Sequence, residues 1–439
     1  MAISLVLGTL VVAVLVVSVG WVANDMSALV VLAGLIGLTN LYVSFPVVTV
    51  GPAEILLADS LTAIAGLAGL TRATRQRFLN PIPLILLAIF ALNLTRGLLK
   101  ISPYATGLGY RHELPVIAAL ILGSTAVTSD FEKCLKKLVY WGCAISVIVL
   151  LSVAGVIPAP TESVAGKFNL QSATTALLFR IVGSDLAIIC AAASLYLLNR
   201  FLIQRFESRN FGLWVILMSV VVYTRHRSVW VGLSCGLLVL LIGPIGRKTN
   251  RLWATIVGFG MAAVCLLLLV LSAPRLVAIF GLSLEDSGTG QGRLDYWRLA
   301  AREQRRLGWF TQLFGRSYGE PWTYERFAPR YSPHNLYVQW WIRQGIVGAL
   351  TLGVTTAWGI LRLLRRSGDS YLLELSLVML LTTYWLFYSA DITTALLISC
   401  VTLGRGHLGN KQITRTPKRY QGRSRHGLPS GSTGSQQSQ

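Results

Sequence analysis

Long apolar stretches separated by short polar or basic segments organise this chain from end to end. Apolar runs lie near residues 4–22, 28–44, 55–70, 81–96, 114–129, 138–157 and 181–198. From Phe211 to Gly246 the chain is apolar for about two spans, interrupted only by Arg225-His226-Arg227. Another run lies near 252–273, two long ones near 335–361 and 371–389, and a short one near 392–404. A helix crossing a bilayer needs about 20 apolar residues. The pattern therefore predicts an all-α polytopic membrane protein with about 12–13 transmembrane helices. Met1 to Gly20 reads as the first span, since it lacks the basic n-region of a cleaved signal peptide. The halves show no internal repeat, which argues against a transporter built from duplicated units.

Composition supports the same class. Of 439 residues, 54% are hydrophobic and 13% charged, with mean hydropathy +0.61; soluble domains carry about 25% charged residues. The net charge of +21 raises nucleic acid as a partner. Most Lys and Arg, however, sit in short connections between spans, as the positive-inside rule requires, so no nucleic-acid partner is expected. Basic clusters at 72–77, 133–137, 200–209, 247–251 and 362–366, and the tail, are assigned to the cytoplasm. Alternation then places 97–113, 158–180, 225–227 and 274–333 on the outer side. Three candidate spans precede residue 71, so either the N-terminus lies outside or one early run is re-entrant or merged with its neighbour. The chain divides into N-terminal spans (1–273), a large extracytoplasmic loop (274–333), C-terminal spans (334–404) and a basic tail (405–439) expected to be disordered.

Candidate chemistry collects on the predicted outer face. Tyr331-Ser332-Pro333-His334-Asn335 runs into an apolar segment, and Pro333 suits the first turn of a helix. At 100° per residue, His334, Val338, Trp341, Gly345 and Gly348 share one face. This reads either as an ordinary interfacial helix start packed through its glycines or as a titratable imidazole at the mouth of a span. Arg225 and Arg227 interrupt an apolar run, where arginine is costly unless it snorkels to head groups or serves a site. Gly288-Thr289-Gly290-Gln291-Gly292 reads as a flexible stretch leading to Arg293 at a helix start. From Arg293 to Leu307 basic and apolar residues alternate at helical spacing, as in an amphipathic helix lying along a membrane. Arginine forks suit a diphosphate, and a histidine suits a general base. Metal-binding and Walker motifs are absent, and the six cysteines show no disulfide or zinc spacing; no metal and no cofactor are expected.

These residues carry a resemblance. His334-Asn335, nine residues, then Gly345-Ile346-Val347-Gly348 resembles the His-Asn/Ser/Gln, nine-residue, Gly-x-x-Gly signature of bacterial O-antigen ligases and related Wzy-type polysaccharide polymerases. Gly292-Arg293-Leu294-Asp295-Tyr296-Trp297 is similar to that family's Gly-Arg element, and Leu313-Phe314-Gly315 with Tyr318-Gly319 to its following glycine-rich turn. His226-Arg227-Ser228 is similar to its Ser-Arg-Ser/Gly, with His226 in place of the usual serine. The resemblance spans about residues 210–360. It implies a GT-C-like, metal-independent glycosyltransferase of lipopolysaccharide or exopolysaccharide biosynthesis in the bacterial inner membrane. Its active site would lie on the outer face, beside a large loop containing short helices. The donor would be an undecaprenyl-diphosphate-linked glycan, and the acceptor a hydroxyl on a glycan, lipid or protein. Arg227 and Arg293 would bind the diphosphate, with Arg225 the alternative to Arg227 because of the His226 substitution. His334 would be the catalytic base or orient the acceptor, and Gly345 and Gly348 would be helix-packing positions. The competing reading is a flippase or transporter of lipid-linked oligosaccharide, which binds without bond chemistry.

Overall fold

The computed structural model describes residues 2–42, 46–50, 53–101, 106, 113–157, 183–203, 207–224, 226–242, 288–320, 335–365 and 370–404. Helices α1 (Ala2–Asn24), α2 (Ser27–Tyr42), α3 (Leu57–Arg75) and α4 (Pro81–Lys100) come first. They are followed by α5 (Leu114–Ser124), α6 (Thr128–Val153), α7 (Ser184–Ile203), α8 (Ser208–Tyr223) and α9 (Arg227–Ile242). Helix α10 (Gly288–Arg305) and the short α11 (Trp309–Phe314) belong to the large hydrophilic insertion. Helices α12 (Leu336–Leu364), α13 (Ser370–Trp385) and α14 (Ile392–Leu403) close the described chain. Every apolar run within the described residues forms a helix, so the protein is an all-α polytopic membrane protein. Among the described residues, four helical segments are long and apolar enough to cross a bilayer: Pro81–Lys100, Thr128–Ser152, Ser184–Phe201 and Leu336–Leu364. The run near 252–273, the segment 158–182 and the tail lie outside the described residues.

Three local expectations are corrected, and one unexpected element is present. The charged segment from Asp130 to Lys137 is not a connection but part of the first turns of α6. There, Asp130 Oδ2 accepts the Val127 N–H at 3.1 Å, satisfying a donor that a helix start leaves open. The stretch between α2 and α3 contains an antiparallel hairpin, β1 (Pro46–Val50) with β2 (Ala53–Leu56), in which Val48 pairs with Ile55 and Thr49 with Glu54. The β-branched run Val47-Val48-Thr49-Val50 favours it. Helix α10 starts at Gly288, so the glycine-rich stretch before Arg293 is helical; extension from an existing helix is far easier than nucleation and tolerates glycine at about 1 kcal/mol each. Finally, α12 starts at Leu336 rather than at Pro333, because Asn335 is its N-cap.

Small residues set the helix contacts, as expected where lipid rather than water surrounds the bundle. A Cβ at Gly232 of α9 would lie 2.7 Å from Leu380 O of α13, and one at Gly236 would lie 2.9 Å from Ser376 O. Those two contacts run in opposite directions along the helices, so α9 and α13 are antiparallel. Gly123 of α5 meets Ser399 of α14 in the same way.

One end of the bundle is locked by a buried ion pair. Arg72 of α3 donates to Asp130 Oδ2 at 2.5 Å, to Thr125 Oγ1 at 3.2 Å and to the Ala23 carbonyl at 3.3 Å. Four elements thus converge on one guanidinium, in a sequence position that reads as an ordinary solvated cytoplasmic charge. Arg72→Ala is expected to cost about 3–5 kcal/mol, because it leaves a buried carboxylate without its cation. Thermal unfolding in detergent checks this. Arg72→Met combined with Asp130→Leu should recover most of the loss.

Candidate functional site

The start of α12 is where polar contacts concentrate. Asn335 has an extended backbone; its Oδ1 accepts the Val338 N–H at 3.0 Å, and its Nδ2 donates to the Leu386 carbonyl at 3.0 Å. One turn on, Gln339 donates to Glu113 Oε1 at 2.9 Å and accepts from the Ser389 hydroxyl at 3.0 Å. The first turns of α12 are therefore held by the α13–α14 connection on one side and by the residue preceding α5 on the other. In that connection Asp391 caps α14 by accepting the Thr393 and Thr394 N–H groups at 2.7 and 2.9 Å. Burial pushes its carboxyl up to about 6, against these cap bonds, which favour the ionised form.

Helix α12 then breaks. Gly345 has φ 67° and ψ −168°, a conformation essentially confined to glycine. Gly315, after α11, has φ 92° and ψ 176°, in the same region. The two backbones cross: a Cβ on Gly345 would lie 2.2 Å from Leu313 O, and one on Gly315 would lie 2.2 Å from Arg343 O. Carbonyls freed by the break find donors in this crossing. Ile342 O accepts the Arg316 N–H at 2.9 Å, and Arg343 O accepts Asn93 Nδ2 at 2.9 Å.

Helix α4 provides the wall behind the crossing. Asn93 is fully buried, and its Nδ2 also donates to Phe314 O at 2.5 Å. Arg96 donates to Asn93 Oδ1 at 2.8 Å and to Gly315 O at 3.0 Å. At Gly97 a Cβ would lie 2.2 Å from Tyr318 O, so the loop lies directly on the helix backbone. Tyr318 is fully buried against Phe90, and its hydroxyl accepts from Gln344 Nε2 at 2.8 Å. Burial, and then the nearby Glu113 carboxylate, hold that hydroxyl well above its ordinary pKa, so it stays neutral. Arg343 donates to the carbonyls of Ser317 and Glu320 at 3.3 and 3.0 Å. Arg316 reaches Gln304 Oε1 and Glu303 Oε2 of α10, both at 3.2 Å. Segment 315–320 is thereby tied to α4, α10 and α12 at once. Asn93→Ala is expected to destabilise the protein by about 1–3 kcal/mol, since two buried carbonyls lose a donor. Limited proteolysis should then open the chain near residues 307–320.

Among the sequence-predicted residues, Arg227 opens α9 and is exposed, and the preceding His226 is buried. Counting back from the Gly232–Leu380 contact, Arg227 falls at about the level of residue 385 on antiparallel α13. Asn335 is bonded to Leu386, so the starts of α9 and α12 lie at the same end of the bundle. Arg293 lies in the second turn of α10. Its side chain, together with Arg225 and His334, lies outside the described residues. The break at Gly345 ends the face shared by Val338 and Trp341, so Gly348 no longer follows from the 100° count; there a Cβ would meet Gln344 Cβ at 2.2 Å. Sequence reading passed over Asn93, Arg96, Gln339, Arg343 and Gln344. Their signal was available as polar side chains inside apolar runs, which are costly and default to a role.

Residues 211–353 match a family described as O-antigen ligase. That match covers about a third of the chain, and over it the segment is similar to an O-antigen ligase domain. It extends from α8 through the break in α12, and contains Arg225, Arg227, Arg293, Gly315, His334, Gly345 and Gly348. No curated protein matches the chain. The matched segment does not close on itself, because Asn93, Arg96 and Glu113, which bond to its residues, lie before it in the chain. An O-antigen ligase domain in a multi-pass helical membrane protein supports a glycosyl-transferring function with glycan or lipid-linked substrates.

Proposed function

We propose that this protein is a metal-independent membrane glycosyltransferase of the O-antigen ligase or polysaccharide polymerase type. It moves a glycan from an undecaprenyl-diphosphate carrier to an acceptor hydroxyl at the outer face of a bacterial cytoplasmic membrane. The observation that carries the proposal is the O-antigen ligase match over residues 211–353, the segment that holds Arg227, Arg293 and His334. In the reaction the acceptor oxygen bonds to the anomeric carbon while the bond from that carbon to the diphosphate oxygen breaks. The acceptor proton passes to the His334 imidazole, and the electron pair leaves with the carrier diphosphate. Arg227 and Arg293 neutralise the charge developing on that leaving group, the role a metal takes elsewhere. Arg225 is the alternative to Arg227.

The test is transfer by the purified full chain in detergent, supplied with lipid-diphosphate glycan and, in turn, a lipid, a glycan and a protein acceptor. Glycan appearing on one acceptor supports the proposal and excludes a pure flippase, because no membrane is present to be crossed. Binding of the donor with no transfer to any acceptor class overturns it.

A further inference from the structure

The large insertion carries an exposed aromatic step, in which Phe310 also packs near Phe314 at 5.0 Å between ring centroids. Trp309 is 72% exposed and Phe310 37%, side by side at the start of α11 with ring centroids 5.7 Å apart. Soluble surfaces rarely place two large aromatics together in the open, whereas Trp and other aromatics collect at the membrane interface. Their height is fixed by α4. The Arg96 guanidinium lies 5.1 Å from the Phe310 ring centroid and also reaches Thr311 Oγ1 at 3.4 Å. Arg96 stands about 22 Å along the α4 axis from Pro81, in a helix long and apolar enough to cross a bilayer. The aromatic step therefore sits in about the last quarter of that span, toward its C-terminal end. Beside it α4 presents Leu98 and Leu99, the latter 80% exposed, so the apolar surface of the span continues toward α11.

Helix α10 completes the surface with charge. Its buried side, Ala300, packs with Ile342 and Val338 of α12. At Ala300 its apolar side therefore meets α12. The opposite side exposes Arg298, Arg302 and Arg305, three positions that share a face at helical spacing, followed by Arg306. A cationic row next to an interfacial aromatic pair complements an anionic lipid surface.

We infer that α11 is an interfacial anchor. Trp309 and Phe310 insert at the boundary between head groups and acyl chains beside α4, and the α10 arginines face the phosphates of anionic phospholipid in the same bilayer. The anchor fixes the depth of segment 315–320, and so of the crossing at Gly345. It holds whichever glycan is transferred, and its readout is lipid contact, not transfer.

The full native chain in nanodiscs of phosphatidylcholine and phosphatidylglycerol, carrying a phospholipid with a diazirine high on its acyl chain, tests the anchor without mutation. Irradiation should label the peptide containing Trp309–Phe310 along with that containing Leu98–Leu99. Labelling of the α4 peptide alone overturns the anchor. A nitroxide at position 309, in a background with the native cysteines replaced, should lose collisions with a water-soluble nickel chelate relative to a nitroxide at position 298. Equal collisions at the two positions overturn it as well. In discs of phosphatidylcholine alone the protection at 309 should diminish; unchanged protection overturns the part assigned to the arginines.

Discussion

Replacing His334 with alanine is expected to reduce glycan transfer by about 10²–10⁴-fold while leaving membrane abundance and thermal stability near those of the parent chain. The size follows from the role. A general base takes the acceptor proton as the new glycosidic bond forms, and removing a positioned base costs that range in rate. The retained stability follows from the structure: α12 is capped by Asn335, not by His334, and its first turns are held by Leu386, Glu113 and Ser389. A base must be neutral to accept a proton. The parent rate should therefore fall in acid as the imidazole protonates. In His334→Ala the residual rate should lose that acid limb. Full transfer by the variant at normal abundance would remove His334 from the chemistry. Lost abundance would assign it to folding instead.

The bundle was legible because hydropathy is a property of each residue and its near neighbours. Every apolar run among the described residues became a helix for that reason. What escaped depends on partners far along the chain. Asn93 meets carbonyls 221 and 250 positions away; a polar residue inside the 81–96 run signals a role but does not name those partners. Arg72 reads as one more cytoplasmic cation, yet it is spent inside the protein on Asp130, Thr125 and Ala23. The signature glycines were visible, but a Gly-x-x-Gly spaced along a continuous helix and one that breaks it are the same string. Only the φ of Gly345, and the loop backbone filling the space of its missing side chain, separate the two. The amphipathic pattern of α10 shows that a face is buried and not what covers it; at Ala300 that cover is α12.

That break makes Gly345 and Gly315 demanding positions, each combining a positive φ with a backbone oxygen 2.2 Å from where a Cβ would lie. Gly345→Ala is expected to lower stability by about 2–6 kcal/mol, combining roughly 1–3 for the backbone conformation with a similar amount for overpacking. A Cβ there lies 2.2 Å from Leu313 O, a backbone atom whose segment is held by Asn93, Arg96 and Arg316 and has little room to retreat. Gly315→Ala meets Arg343 O at the same distance and should cost a similar amount. Because both substitutions spoil one crossing, the double variant should be far less destabilised than the sum of the singles, a coupling that independent sites do not show. Thermal unfolding of the four chains in detergent gives this cycle directly. Transfer should fall in parallel with the loss of the crossing, since the segment that follows His334 is positioned from both sides of it. Additive losses would mean that the two glycines act separately and that the loop does not brace α12.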